Sequence, residues 1–154
     1  MTQLTIETTL QTFDSALTGE LFLLARVVFG GVLAFMGLNH FLDVDAMAGY
    51  AEAKGVPAPR LAVTVSGGTL IFGGLGIAAG VVPALAAGAL ALFLLVATPK
   101  MHDFWNAPEE QQRTEMTQFL KNAGLFAAAV GFLAVAAVEW PYAVGVSFLC
   151  GHNF

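Results

Sequence analysis

The chain has 154 residues, of which 57% are hydrophobic and only 11% are charged. Soluble domains usually carry about 25% charged residues, so this composition excludes an ordinary water-exposed surface and indicates an outer face that meets lipid. The net charge of -5 argues against nucleic acid as a partner, because no basic patch is available to neutralise phosphates. The single cysteine, Cys150, excludes both an intramolecular disulfide and a Cys-x-x-Cys redox or zinc motif.

The chain begins with a polar, threonine-rich segment, residues 1–20, which we assign to the outer face or interface of a membrane. Leu10, Phe13 and Leu17 recur at helical spacing there, so a short interfacial helix is expected. The segment contains no Lys or Arg and therefore lacks the basic start of a signal peptide. We expect the apolar run that follows, at about residues 21–38, to remain as the first membrane span.

The first loop, residues 43–60, precedes a second span at about residues 61–82. Ala46 to Lys54 is typical of a short helix, with Asp45 as N-cap and Gly55 just beyond its end. The second span is rich in glycine, which predicts close packing against a neighbouring helix. Gly80 and Pro83 predict a short turn, so the second and third spans should form an antiparallel hairpin.

The third span, at about residues 83–98, is followed by the most polar part of the chain. Asn106 is the expected N-cap of a helix that continues through Gln118 into a fourth span at about residues 122–138. The tail, residues 143–154, is apolar but too short to cross a membrane. The predicted fold is an all-α, integral membrane four-helix bundle spanning residues 21–142, with short helices in its two loops.

The basic residues predict the orientation of this bundle. The two loops that share one side contain Lys54, Arg60, Lys100, Arg113 and Lys121, whereas the termini and the turn at Pro83 contain none. Because cytoplasmic loops carry an excess of Lys and Arg, both loops should be cytoplasmic and both termini outside the cell membrane.

Arg26 is an unusual residue for a membrane span, since a charged side chain at the centre of a span costs about 2.5–3.5 kcal/mol. Glu139 ends the fourth span on the same side as Arg26. We therefore predict a structural ion pair between these two residues, which would hold the first and fourth helices together. The alternative is that Arg26 anchors a ligand or substrate.

Several polar and aromatic residues follow the first and third spans or precede the fourth, and all should lie at the cytoplasmic interface. They are Asn39, His40, His102, Trp105, Lys121 and Asn122. Histidine changes charge near neutral pH and can pass a proton, so the set suits the head group of a quinone. The alternative is that these residues cap helices and bind lipid head groups. Two histidines without a cysteine or a clear carboxylate ligand do not predict a metal site.

Short motifs in a defined order resemble those of the DoxX family of small four-helix membrane proteins. They are Arg26, the Gly37-x-Asn39-His40-Phe41 end of the first span, Gly55-Val56-Pro57, Gly73-Gly74, His102, and Phe119-Leu120-Lys121-Asn122. The resemblance covers about residues 21–138. One position departs from the pattern, because Thr69 stands where the family commonly has a glutamate that would suit proton handling.

The resemblance implies a membrane subunit or accessory of a quinone-linked redox system, similar to the membrane subunit of thiosulfate:quinone oxidoreductase. It leaves open whether the chain has catalytic activity of its own. The implied partners are membrane lipids and either another protein or further copies of the chain. The alternative hypothesis is a non-catalytic scaffold that recruits a protein through its cytoplasmic loops. The acidic charge balance would also suit a salt-loving organism.

Overall fold

The computed structural model describes residues 16–144, which form five helices and no strand. The helices are α1 (Ala16–Leu42), α2 (Val44–Ala53), α3 (Pro59–Ala79), α4 (Pro83–Met101) and α5 (Glu109–Ala134). The all-helical prediction is confirmed. The predicted helix around Leu10 and Phe13, the lone Cys150 and most of the apolar tail lie outside the described residues.

Among the helices of residues 16–144, three are long and apolar enough to cross a membrane. They cover Leu17–Leu42, Pro59–Ala79 and Pro83–Met101. Only about a third or less of each apolar stretch is buried inside the protein, so most of its side chains face outward. α5 is not in this set; its first half carries Glu109, Glu110, Arg113, Glu115 and Lys121, and only its second half is apolar.

The closest helix contact joins α1 and α3, which run antiparallel and meet at glycines. A Cβ atom added at Gly74 would lie 2.5 Å from the Gly30 carbonyl oxygen and 2.8 Å from the Ala34 nitrogen. Two turns along each helix, a Cβ atom at Gly37 would lie 2.7 Å from the Gly67 carbonyl oxygen. The close packing predicted for the glycine-rich span is therefore confirmed, and α1 is the partner helix.

A short turn joins α3 to α4, as the sequence predicts. Gly80 ends α3 with a left-handed φ of 72°, which glycine adopts without a steric penalty. The Val81 amide donates to the Gly76 carbonyl at 2.8 Å, and Pro83 takes the first helical position of α4. Residues 80–82 therefore belong to the turn, and the two helices form an antiparallel hairpin.

The long helices share one buried core, which α5 completes by running antiparallel to α4. Leu33, Ile77 and Leu90 from α1, α3 and α4 are fully buried there, together with Ala129 of α5. Phe132 of α5 packs against α1, with ring centroids 5.2 Å from Phe29 and 5.8 Å from Phe22. α1 and α5 are thus linked mainly through aromatic side chains.

α2 begins two residues earlier than the sequence predicts. Its N-cap is Asp43, whose carboxylate accepts from the Ala46 amide at 3.1 Å, and not Asp45, which forms an ion pair with Arg60. The earlier start adds Val44 to the apolar face that packs on Val63 of α3. Gly55 lies just beyond the helix with a φ of 68°, as predicted.

α5 is one continuous helix that passes through Gln118, as predicted, but its start and end differ from the prediction. Its N-cap is Pro108 and not Asn106, whose amide instead donates to Asp103 at 3.4 Å. The helix ends at Ala134, and turns follow, with the Val138 amide donating to the Val135 carbonyl at 3.2 Å.

Candidate functional site

Two contacts between ionisable side chains tie neighbouring helices to the end of α4. Lys54 of α2 donates to Asp103 at 2.7 Å, and His102 Nδ1 lies 2.9 Å from a carboxylate oxygen of Glu115 on α5. The four side chains are between 15% and 27% exposed, so both contacts are largely shielded from solvent. We call the region around them, from α2 across the end of α4 to the start of α5, the loop end.

Tyr50 adds a third contact between α2 and α4. Its hydroxyl donates to the Met101 carbonyl at 3.2 Å, and its ring lies 5.9 Å from the Lys54 ammonium. The hydrogen bond with Asp103 raises the pKa of Lys54 and lowers the pKa of Asp103. Burial raises the pKa of the Tyr50 hydroxyl, and the negative charge of Glu115 acts in the same direction.

An aromatic cluster lies directly after the His102–Glu115 contact. The ring centroid of Phe104 lies 5.1 Å from that of Trp105 and 5.5 Å from that of Phe119 on α5. Trp105 is 52% exposed, so part of its indole is open to a ligand or to lipid. Such rings offer an apolar wall against which a planar group can stack.

Thr98 lies one helical turn before His102 on α4 and has an unusual environment. Its side chain is only 5% exposed, and its hydroxyl has no hydrogen-bond partner within the described residues. Thr64, Thr69 and Thr117 each donate at 2.9 Å to the carbonyl one turn before them in their own helices. Thr98 is therefore the exception among these helical threonines.

The remaining predicted residues of α5 differ in their surroundings. Asn122 is half-buried and lies two turns after Glu115, so the two side chains share one face of the helix. Lys121 is exposed, and its ammonium donates to Gln118 at 3.1 Å. Asn122 can therefore contribute to a site beside α4, whereas no contact links Lys121 to such a site within the described residues.

His40 and Asn39 have a different setting from His102. His40 Nδ1 donates to the Met36 carbonyl at 2.9 Å, and a Cβ atom at Gly67 would lie 2.9 Å from the His40 Cβ. The histidine thus packs between α1 and α3, while Asn39 is exposed. Over residues 16–144, no hydrogen bond or ion pair joins either residue to His102.

The predicted ion pair between Arg26 and Glu139 does not form. The Arg26 side chain is fully buried and donates to the carbonyls of Pro141 at 2.9 Å, Ala78 at 3.3 Å and Tyr142 at 3.4 Å. Glu139 is exposed, so its carboxylate stays in a polar setting while main-chain oxygens surround the guanidinium. The Arg26 Nε has no partner within the described residues.

Aromatic rings complete the surroundings of Arg26. Its Cζ lies 5.3 Å from the Trp140 ring centroid and 5.6 Å from that of Phe22, close enough for cation–π attraction. Tyr142, whose hydroxyl donates to Glu20 at 3.2 Å, adopts a left-handed φ of 57°. Arg26 therefore fixes an irregular turn after α5 against α1 and α3.

Comparison with family models gives one match, to the DoxX model over residues 21–103, which is more than half of the chain. The chain belongs to the DoxX family. Together with the three apolar helices, this membership identifies it as a membrane protein. The matched part of this DoxX protein includes Thr98, His102 and Asp103, whereas Glu115 and Asn122 lie beyond it.

Searches of curated proteins and of solved structures found no match to this DoxX chain. Within residues 16–144, no group of three or more His, Cys, Asp or Glu side chains is placed to share a metal ion.

Sequence reasoning missed Tyr50, Lys54, Thr98, Asp103 and Glu115 as parts of the site. Two signals were available: Tyr50 and Lys54 are one turn apart on a predicted helix, and Asp103 directly follows His102. The contact of His102 with Glu115 spans 13 residues across a loop, and no local pattern indicates it.

Proposed function

We propose that this DoxX protein binds the head group of a membrane quinone at the loop end, through Thr98, His102 and Asn122. In this role it serves as a membrane subunit or accessory of a quinone-linked redox system. The observation that carries the proposal is the buried Thr98 hydroxyl, which has no partner within the described residues.

An unpaired hydroxyl in a buried position is costly, by about 1–3 kcal/mol. Thr69, which is half-buried in α3, avoids that cost by donating to the Val65 carbonyl of its own helix at 2.9 Å. Thr98 would regain the lost interaction by donating to a carbonyl oxygen of a bound ligand. The proposal therefore explains why this hydroxyl is left free.

His102 supplies a second polar contact for the reduced, hydroquinone form of the same ligand. It follows Thr98 by four residues, which places the two positions about 6 Å apart along the helix axis. That separation is comparable with the distance between the two oxygens of a 1,4-quinone ring. The rings of Phe104 and Phe119, 5.5 Å apart, provide an apolar surface beside it.

A bound quinone would supply two-electron, two-proton redox chemistry, while the chain's own residues would bind it and handle protons. His102 can hold a proton on its ring, and the carboxylate of Glu115, 2.9 Å from Nδ1, would balance the resulting positive charge. Thr69 donates to its own helix, so it offers no replacement for the family's glutamate in the second span. Proton handling is therefore assigned to the loop end.

The membrane arrangement forms part of the proposal. We assign the second half of α5, which packs on α4, as a fourth crossing that completes a four-helix bundle. The basic residues of the loop end then face the cytoplasm and both termini lie outside. A partner protein would dock at the loop end, where Trp105, Met116 and Leu120 are 52%, 41% and 61% exposed.

Titration of the purified protein with a short-tail quinone tests the proposed site. We expect Thr98→Val to weaken binding about tenfold, which corresponds to one hydrogen bond of about 1.4 kcal/mol. The variant should be at least as stable as the wild type, because it removes an unpaired hydroxyl. His102→Ala should weaken binding of the reduced, hydroquinone form of the same ligand.

Thr69→Val is the matched control, because it makes the same change where the hydroxyl is already bonded. It should leave the dissociation constant unchanged. Wild-type affinity in Thr98→Val would remove the main support for the site. No quinone binding in the wild type would favour the alternative, a scaffold that recruits a protein through its loops.

A further inference from the structure

We propose that Glu115 makes the site select the reduced, hydroxyl-bearing form of its ligand, a hydroquinone, over the oxidised quinone. The inference rests on the proposed function and assigns a role to a residue beyond the part that matches the family model. Glu115 acts as a positioning residue: it sets which ring nitrogen of His102 carries the hydrogen.

The geometry of the His102–Glu115 contact determines that choice. Nδ1 lies 2.9 Å from a carboxylate oxygen of Glu115, and the two side chains are 22% and 15% exposed. A carboxylate can only accept hydrogen bonds, so Nδ1 must be the donor. A neutral imidazole with its hydrogen on Nδ1 presents a lone pair at Nε2.

Nε2 is available to a ligand. His102 Nδ1 contacts Glu115, and no hydrogen bond to Nε2 is formed within the described residues. The nearby Asp103 does not compete for the ring, because its carboxylate is engaged by Lys54 at 2.7 Å and by Asn106 at 3.4 Å. In its neutral form the ring therefore presents one fixed acceptor at the proposed site.

An acceptor at this position discriminates between the two redox forms. A quinone oxygen can only accept, so it meets the Nε2 lone pair without forming a hydrogen bond. A hydroquinone hydroxyl can donate to Nε2. The Thr98 hydroxyl can either donate or accept, so it binds both forms and leaves the choice to His102. A site built to accept a hydrogen bond from a ligand hydroxyl discriminates strongly against a ligand that lacks the hydroxyl.

Binding measurements with a matched ligand set test the inference, without any need for turnover. The set consists of a short-tail quinone, its hydroquinone and the dimethyl ether of the hydroquinone. They are titrated without oxygen at about pH 8, where histidine is in general neutral. We expect the hydroquinone to bind the wild type about tenfold more tightly than either of the other two.

Glu115→Gln should reduce that preference to about twofold or less, because an amide can also donate to Nδ1 and allow the hydrogen to move to Nε2. Glu110→Gln, an exposed change of the same chemistry, should retain the wild-type preference. His102→Gln is a second variant that keeps a polar side chain with both a donor and an acceptor, and it should bind both redox forms about equally.

The outcomes separate the inference from the proposed function. Equal binding of quinone and hydroquinone by the wild type, or an unchanged preference in Glu115→Gln, would overturn the inference and leave the quinone site standing. If no member of the set binds the folded wild type, the proposed function fails as well. Should Glu115→Gln not fold, an unchanged preference in His102→Gln would overturn the inference on its own.

Discussion

Replacing Arg26 by alanine is expected to destabilise the protein by about 3–5 kcal/mol, a range typical of removing one partner from a buried charged contact. The fully buried guanidinium donates to three carbonyls that belong to α3 and to the turn after α5. Its loss would leave those oxygens without donors and create a cavity between the Phe22 and Trp140 rings. Thermal unfolding in detergent measures the effect.

Two further substitutions separate this role from the ion pair that the sequence predicts. Arg26→Lys keeps the charge, but an ammonium group is too compact to donate to carbonyls on both sides as the planar guanidinium does. The loss of stability should therefore be intermediate. Glu139→Gln should change stability by less than about 0.5 kcal/mol, because the Glu139 side chain is exposed and unpaired with Arg26. A loss in Glu139→Gln equal to that in Arg26→Ala would contradict the observed contacts.

Adding one methyl group at Gly30 is expected to cost about 3 kcal/mol or more, although alanine is the better helix former. The new Cβ atom would overlap the Gly74 carbonyl oxygen and lie 2.9 Å from the Ala78 nitrogen. Both are main-chain atoms, so α1 and α3 would have to separate along their whole contact. Forced insertion of methyl groups into a tight contact commonly costs about 1–3 kcal/mol even where side chains can move.

The adjacent glycine provides the control for this prediction. A Cβ atom at Gly31 would meet nothing within 4 Å, so Gly31→Ala should be neutral or gain up to about 1 kcal/mol from helix propensity. Gly74→Ala and Gly68→Ala form the same pair on α3, with Gly68 open and Gly74 in contact. Similar unfolding temperatures for Gly30→Ala and Gly31→Ala would show that the two helices do not meet as described.

Local sequence signals predicted the turn after α3 and the close contact made by that helix, although they misplaced the N-caps of α2 and α5. Gly80 and Pro83 specify the turn between α3 and α4 through their own backbone preferences. The density of glycine in α3 indicates a close helix contact, because a helix face without side chains lets another backbone approach. The sequence could not show that α1 is the helix in contact, because any neighbouring span satisfies the pattern.

The parts of the site that escaped prediction depend on tertiary placement. Arg26 was assigned to the nearest opposite charge, yet its partners are the carbonyls of Ala78 in α3 and of Pro141 and Tyr142 in the turn after α5. Thr98 and Thr69 look alike in sequence, since both are threonines within apolar helices. Only their surroundings distinguish the bonded hydroxyl from the free one.

Photolabelling with an azide-bearing quinone tests the position of the head-group site most directly. The purified protein is illuminated with the bound probe, digested, and the labelled peptides are identified by mass spectrometry. The expected labels lie within residues 98–105 at the end of α4 and residues 115–122 of α5, and an excess of unlabelled hydroquinone should remove them. Labels confined to α1, or to the region of Arg26 and Trp140, would contradict the assignment of the quinone site to Thr98 and His102.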